Sequence, residues 1–269
     1  LGREAVSDAP EGRLDITQAG FGVERPETWG FAPLPRLVGA LGVRERRLYY
    51  SVAEGPQIWS VGLGPNGFTN DIRFEVEVPA LREGIEIASI AFDRSGLLYV
   101  AERGQPLGSY DFGELASAGE ARVMRFRPLR EPDPNSGAMW DSVGDEYAVG
   151  LLPAFSNGDG GVAIGNGYNA SGALGPSTCG TTLWSTGERL RDPGNNAQPP
   201  GGGPADIDGL QGNALDMVRP KNEPPSNAWF IDYDDKPANP AARGYMGAVA
   251  VWQFCRPVQG SAAPPPPRA

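Results

Sequence analysis

Three short Asp/Gly-rich segments carry the residue types best suited to chemistry: Asn157-Gly-Asp-Gly160, Asp206-Ile-Asp-Gly209 and Asp232-Tyr-Asp-Asp235. Each places carboxylate or amide oxygens at alternate positions. Hard cations take about six to eight oxygen ligands, so side chains converging in this way could hold Ca2+. The candidate ligands are Asp159, Asp206, Asp208, Asp232 and Asp234. Asp206-x-Asp208-Gly209 has the look of a calcium-loop opening, but the twelfth position from Asp206 is Met217 instead of a bidentate glutamate. That excludes an EF-hand. Ordinary turns use the same residues, with Asp and Asn bonding their own backbone and Gly supplying positive φ.

Histidine is absent. This excludes Ser-His-Asp and Cys-His nucleophilic sites and His-ligated zinc, copper or haem. Catalysis would have to rest on carboxylates, Lys, Tyr or an oxygen-ligated cation. The two cysteines, Cys179 and Cys255, form no C-x-x-C motif. They are expected to pair as a disulfide of an exported protein, the alternative being two buried thiols. Closing so long a loop would stabilise the fold by about 4–5 kcal/mol on the chain-entropy model.

Aromatic residues in loops offer a different chemistry. Tyr110 and Phe112, in the long loop after Gly104, and Tyr168, in a Gly/Asn-rich turn, could stack on a sugar or a partner protein. Pinning their own loops is the simpler role. Asn169-Ala-Ser171 follows directly and has the N-glycosylation acceptor pattern.

The elements that must position these residues are strands. The chain has 27 prolines and 38 glycines, placed between short apolar runs as frequent turns require. Its formal charge of −10 repels phosphate backbones, so neither nucleic acid nor an anionic membrane is an expected partner. No apolar run reaches the roughly 18 residues of a spanning helix. The chain begins at Leu1 with no signal-peptide pattern, which reads as a processed product or part of a longer polypeptide.

Strand patterns recur. Leu37–Leu41 and Arg47–Ala53 form a hairpin, Gln57–Leu63 a third strand and Asp71–Val78 a fourth. Alternation in the last puts Ile72, Phe74, Val76 and Val78 on one face and Arg73, Glu75 and Glu77 on the other. A second unit runs Ile85–Phe92, Leu97–Ala101, Arg122–Arg127 and Asp145–Leu151, with the turn Asp93-Arg-Ser-Gly96 in its first hairpin. A third has Gly161–Gly165 and Thr181–Thr186, followed by a low-complexity loop over Leu190–Pro204. A fourth has Asn213–Val218, Ala228–Tyr233 and Gly247–Phe254. Second strands aligned at Leu48, Leu97, Leu183 and Trp229 are spaced by 49, 86 and 46 residues. Two spacings suit one propeller blade; the longer holds either one blade with large insertions or a degenerate extra blade near Asp141–Gly150.

The phrase Ser89-Ile-Ala-Phe-Asp-Arg-Ser-Gly-Leu-Leu-Tyr-Val-Ala-Glu-Arg-Gly104 resembles the inner blade hairpin of six-bladed propellers, the group of NHL-repeat and senescence-marker (gluconolactonase-like) proteins. The resemblance implies an all-β propeller of four-stranded antiparallel blades, four to six of them and possible in partial form, with long loops and little helix. In the gluconolactonase-like members a central cation is held by Glu, Asn and Asp at inner blade ends. By position the counterparts here would be Glu54, Glu102, Asn166, Asn213 and Asp232.

The expected organisation is a tail over 1–12, a propeller over 13–257 and a Pro-rich linker or tail over 258–269. The expected function is that of an exported, non-enzymatic binding or assembly module, in the periplasm, at the cell surface or secreted. Its partner would be a protein, copies of itself or a glycan. No cofactor is required, and Ca2+ is the one ion the residues suit. The alternatives are a metal-dependent lactonase or esterase of the six-bladed type and a structural subunit of a surface assembly.

Overall fold

The computed structural model describes residues 38–52, 55–79, 84–104, 121–150, 155–168, 173, 179–191, 207–223, 225, 228–235 and 246–252. Among them there is no helix, and twelve strands form three four-stranded antiparallel sheets. The first sheet comprises β1 (Val38–Arg44), β2 (Arg47–Val52), β3 (Gln57–Gly64) and β4 (Gly67–Glu77). The second comprises β5 (Glu86–Phe92), β6 (Leu98–Arg103), β7 (Val123–Pro128) and β8 (Trp140–Tyr147). The third comprises β9 (Gly158–Gly165), β10 (Thr182–Arg191), β11 (Ile207–Ala214) and β12 (Trp229–Asp232). Each sheet is a plain meander in chain order.

The leading strands meet, with β1 packed on β5 and β5 on β9. Successive sheets thus stack face to face, and each interface has its own apolar core. Ile58, Val76, Ile90, Leu98, Phe126 and Trp140 fill the first. Tyr99, Val123, Tyr147, Val162, Leu183 and Leu190 fill the second. Burial of these side chains contributes about 1.5–3 kcal/mol each. Stacked meanders suit the blades of a propeller, but among the described residues no sheet is closed or curled.

Local chemistry explains the hairpin between β5 and β6. The Asp93 carboxylate accepts from Leu97 N at 2.9 Å and from Ser95 Oγ at 2.7 Å, and Gly96 supplies φ +92°. Tyr99 then donates its hydroxyl to the other Asp93 oxygen at 3.1 Å. The hairpin between β1 and β2 turns differently. Its two central residues, Glu45 and Arg46, have φ of 48° and 62°, a tight turn favoured by Gly and Asn that other residues rarely adopt. The two hairpins therefore share strands and not a turn type.

Four expectations need correction. Strict alternation along β4 fails at Glu75, where the register shifts and a bulge forms. Ile72 and Phe74 keep one face, while Val76 crosses into the first core. Glu75 is buried, accepting from Trp140 Nε1 at 2.8 Å and from the Ser60 hydroxyl. The expected fourth unit also dissolves. Of its expected first strand, Asn213–Val218, only Asn213 and Ala214 belong to a strand, the end of β11; its second is β12, so both lie in the outer half of the third sheet, and residues 246–252 are not a strand. The long spacing of 86 residues is accordingly one sheet with insertions, and β8 falls earlier than expected, within the second sheet. Finally, Leu190 and Arg191 belong to β10 instead of the loop after it.

Candidate functional site

On the third sheet, the side chains of one cross-strand row share a face: Ala163, Trp184, Gly212 and Trp229. A Cβ at Gly212 would stand 2.7 Å from the Trp184 ring, so only glycine lets the indole lie across β11. Trp184 is itself buried and donates Nε1 to Asn166 O at 3.0 Å. Tyr168 stands edge-on to Trp184, with centroids 6.1 Å apart at 89°, and tilts over Trp229 at 5.3 Å. Together with Thr181, Leu215 and Asp216, the Tyr168 and Trp229 rings line an open cleft of about 430 Å³, with Trp184 buried behind them.

The cleft is tied to the second sheet. Leu215 O accepts from Arg125 Nη1 at 2.7 Å and from the Tyr147 hydroxyl at 2.5 Å, and Leu215 N donates to Thr181 O at 3.1 Å. Burial, partly offset by the Arg125 charge, pushes the Tyr147 hydroxyl up to about 12, so it remains a donor throughout the physiological range. Trp229 keeps 40% of its surface in water. A half-exposed indole beside a tilted phenol offers an apolar platform. The exposed Thr181 hydroxyl and Asp216 carboxylate supply polar partners at the edge.

Of the aromatic residues singled out in the sequence, Tyr168 lies in this cleft; Tyr110 and Phe112 lie outside the described residues. Trp229 was read only as a strand position, and Asp216 was not singled out. A usable signal was present in Trp229, Ile231 and Tyr233, apolar residues at alternate positions that all remain exposed.

The acidic candidates divide. Asp206 lies outside the described residues. Asp159 and Asp208 are both buried and close enough to interact electrostatically, with Glu188 joining them. Both carboxylates are engaged with backbone: Asp159 Oδ2 accepts from Met246 N at 3.2 Å, and Asp208 accepts from Arg189 N. Asp232 and Asp234, in and just after β12, are half-buried. Among the described residues, no three His, Cys, Asp or Glu side chains are placed to share a metal ion.

Burial above all, then the Glu188 and Asp208 charges, hold the Asp159 carboxyl well above the usual range, against the Met246 N–H that lowers it. A raised folded pKa means that the unfolded chain loses this proton first. Stability from this group therefore falls as pH rises from about 4, the ordinary aspartate value, through the raised folded value. Asp159→Asn keeps the acceptor for Met246 N and removes that cost. In the presence of a chelator it is expected to melt above the wild type at neutral pH, with the gain vanishing toward pH 4. Thermal melts across this range check it, and a lower Tm at neutral pH would contradict it.

The residues implied by the propeller resemblance do not converge either. Glu54 lies outside the described residues. Glu102 is fully buried and pairs with Arg122, with oxygens 2.5 Å from Nη2 and 2.8 Å from Nε. Asn213 accepts from Asn222 Nδ2 at 3.0 Å, while Asn166 contributes its carbonyl to Trp184. Cys179 sits where Arg94 Nη2 donates to Sγ at 3.2 Å; Cys255 lies outside the described residues. No protein-family model matches the chain, and no curated protein matches it.

Proposed function

We propose that this chain is a non-enzymatic binding module, a β-propeller of NHL or senescence-marker type in partial or compact form, acting outside the cell. Its ligand site is the cleft at Tyr168 and Trp229, and its ligand class is a neutral saccharide. The observation that carries the reading is the exposed Trp229 ring packed against half-buried Tyr168, beside a floor anchored in the second sheet. Aromatic faces are electron-rich and attract the C–H faces of sugar rings, while Thr181 and Asp216 suit ring hydroxyls. A net charge of −10 disfavours polyanionic glycans.

A panel of immobilised neutral oligosaccharides, probed with the wild type and with Trp229→Ala, tests this. Binding to a subset is expected, weakened about tenfold or more in the variant, equivalent to about 1.4 kcal/mol. No binding, or binding that Trp229→Ala leaves unchanged, would contradict it. A protein partner captured through the same cleft would replace the saccharide.

Export is supported by the expected Cys179–Cys255 bridge. Under denaturing, non-reducing conditions neither cysteine should take up iodoacetamide, and the mass should rise by two adducts only after reduction. Alkylation of both without reduction would remove that support. Calcium belongs to the proposal as a structural ion held around Asp159 and Asp208. It should raise the wild-type Tm more than that of Asp159→Asn, and equal shifts would exclude these ligands.

A further inference from the structure

The outward face of the third sheet differs between its two halves. Over β9 and β10, residues 246–252 lie across it: Thr186 Oγ1 donates to Gly247 O at 3.0 Å, and Met246 N donates to Asp159 Oδ2 at 3.2 Å. The approach is close enough that a Cβ at Gly161 would stand 2.6 Å from Gly247 O, and one at Gly165 would stand 2.8 Å from Val251. Glycines on β9 thus make room for the chain's own backbone. Over β12 the face is open. Trp229, Ile231 and Tyr233 keep 40%, 40% and 39% of their surface in water.

These three are successive outward positions of one strand. Pairing with β11 runs without a register shift, with Gly212 opposite Trp229 and Leu210 opposite Ile231. Tyr233 N donates to Asp208 O at 3.0 Å, which carries the ladder one residue past β12. Phe230, between them, points the other way: it packs against the second core, with the Arg191 guanidinium 5.7 Å from its ring. Alternation therefore lines up an indole, a branched aliphatic side chain and a phenol in one exposed stripe.

The stripe continues the cleft, because Trp229, against which Tyr168 packs, belongs to both. Trp229 and Tyr233 stand four strand positions apart, about 13 Å, a stretch that a linear chain of about three sugar rings spans. A single sugar stacked on Trp229 would leave Ile231 and Tyr233 in water. Carboxylates stand at the two ends of the stripe, Asp216 in the cleft and exposed Asp235 just past Tyr233, as acceptors for sugar hydroxyls. We infer that the ligand of the Trp229 cleft is a linear chain of neutral sugars laid along β12, with Ile231 beneath its middle and Tyr233 as its second stacking face. The inference rests on the saccharide reading of the cleft and adds to it the form of the ligand and the residue that selects for chain length.

Linear neutral oligomers of glucose, mannose, galactose and xylose, each from monomer to hexamer, are titrated calorimetrically into the wild type, Trp229→Ala and Tyr233→Ala. For a sugar that binds, affinity is expected to rise about tenfold or more from monomer to trimer. Tyr233→Ala is expected to flatten that rise, and Trp229→Ala to weaken binding at every length. Binding that needs Trp229 but is no tighter for the trimer than for the monomer would overturn the inference and leave the cleft reading standing. A rise that Tyr233→Ala leaves intact would do the same. No binding of any sugar at any length would overturn both. A wild-type dimer that Tyr233→Ala dissolves would make the stripe a contact between copies and would overturn the inference as well.

Discussion

Glu102→Ala is expected to cost about 3–5 kcal/mol of folding stability, because it leaves the Arg122 guanidinium buried without its main partner. The pair is bidentate, and Glu102 Oε2 also accepts from Arg122 N at 3.1 Å. Arg122 reaches on to Pro79 O at 2.5 Å and to Glu146 at 3.3 Å. Glu146 in turn lies 3.6 Å from Arg219, which pairs with Glu223 at 2.8 Å. The network therefore joins β6, β8 and the turn after β11. Glu102→Gln keeps the shape and part of the hydrogen bonding, and should cost less. Urea midpoints of the two variants decide the matter. A loss below about 1 kcal/mol for alanine would mean that Arg122 finds water or another partner.

Phe126→Ala is the second large effect, with an expected loss of about 3–5 kcal/mol. The ring is almost fully buried in β7, in the core where the first and second sheets meet. Its neighbours there include Leu98 and Trp140, and Trp140 also supplies the hydrogen bond to buried Glu75. Collapse around the cavity would pull on that bond, which places the effect at the upper end of the range. A loss of less than about 1 kcal/mol in denaturant unfolding would contradict the stacking of these two sheets.

Much of the first two sheets was legible in the sequence. The strands β2 and β3 match their apolar runs to within one residue at either end, and the Asp93–Gly96 turn forms as Asp and Gly chemistry requires. Glu75 was not legible, because a bulge adds one residue and turns a solvent-side glutamate inward; alternation cannot show that. The third sheet was misread at Ile207-Asp-Gly-Leu-Gln-Gly-Asn-Ala214, because Asp206-Ile-Asp-Gly209 reads as a loop or turn and the next strand was expected only from Asn213. Both of its glycines are strand residues. Gly209 adopts φ +150° beside β12, and Gly212 makes room for Trp184. With no strand expected at Gly212 and Ala228–Tyr233 placed in a separate unit, Trp229 lost its place opposite Gly212, and the cleft lost half of its wall. Tyr168 could be noticed alone, as an aromatic in a loop, but its partners come from strands 16 and 61 residues further on.

The acidic segments teach a related lesson. Asp93 and Asp133 both bond their own turns, and Asp133 is held below the ordinary carboxylate range by the Ser136 hydroxyl and the Asn135 N–H. Asp159 and Asp208 instead enter strands and become buried, which places two predicted ligands together for a reason that spacing alone does not supply.

The most direct test of the binding cleft is a titration of uniformly 15N-labelled protein with the best neutral oligosaccharide from the panel, following the indole N–H signals. The expected result is a saturable shift of the Trp229 indole, with the Trp140 indole, buried and bonded to Glu75, unmoved. No saturable shift at Trp229, or shifts confined to indoles outside the cleft, would contradict the assignment of the site.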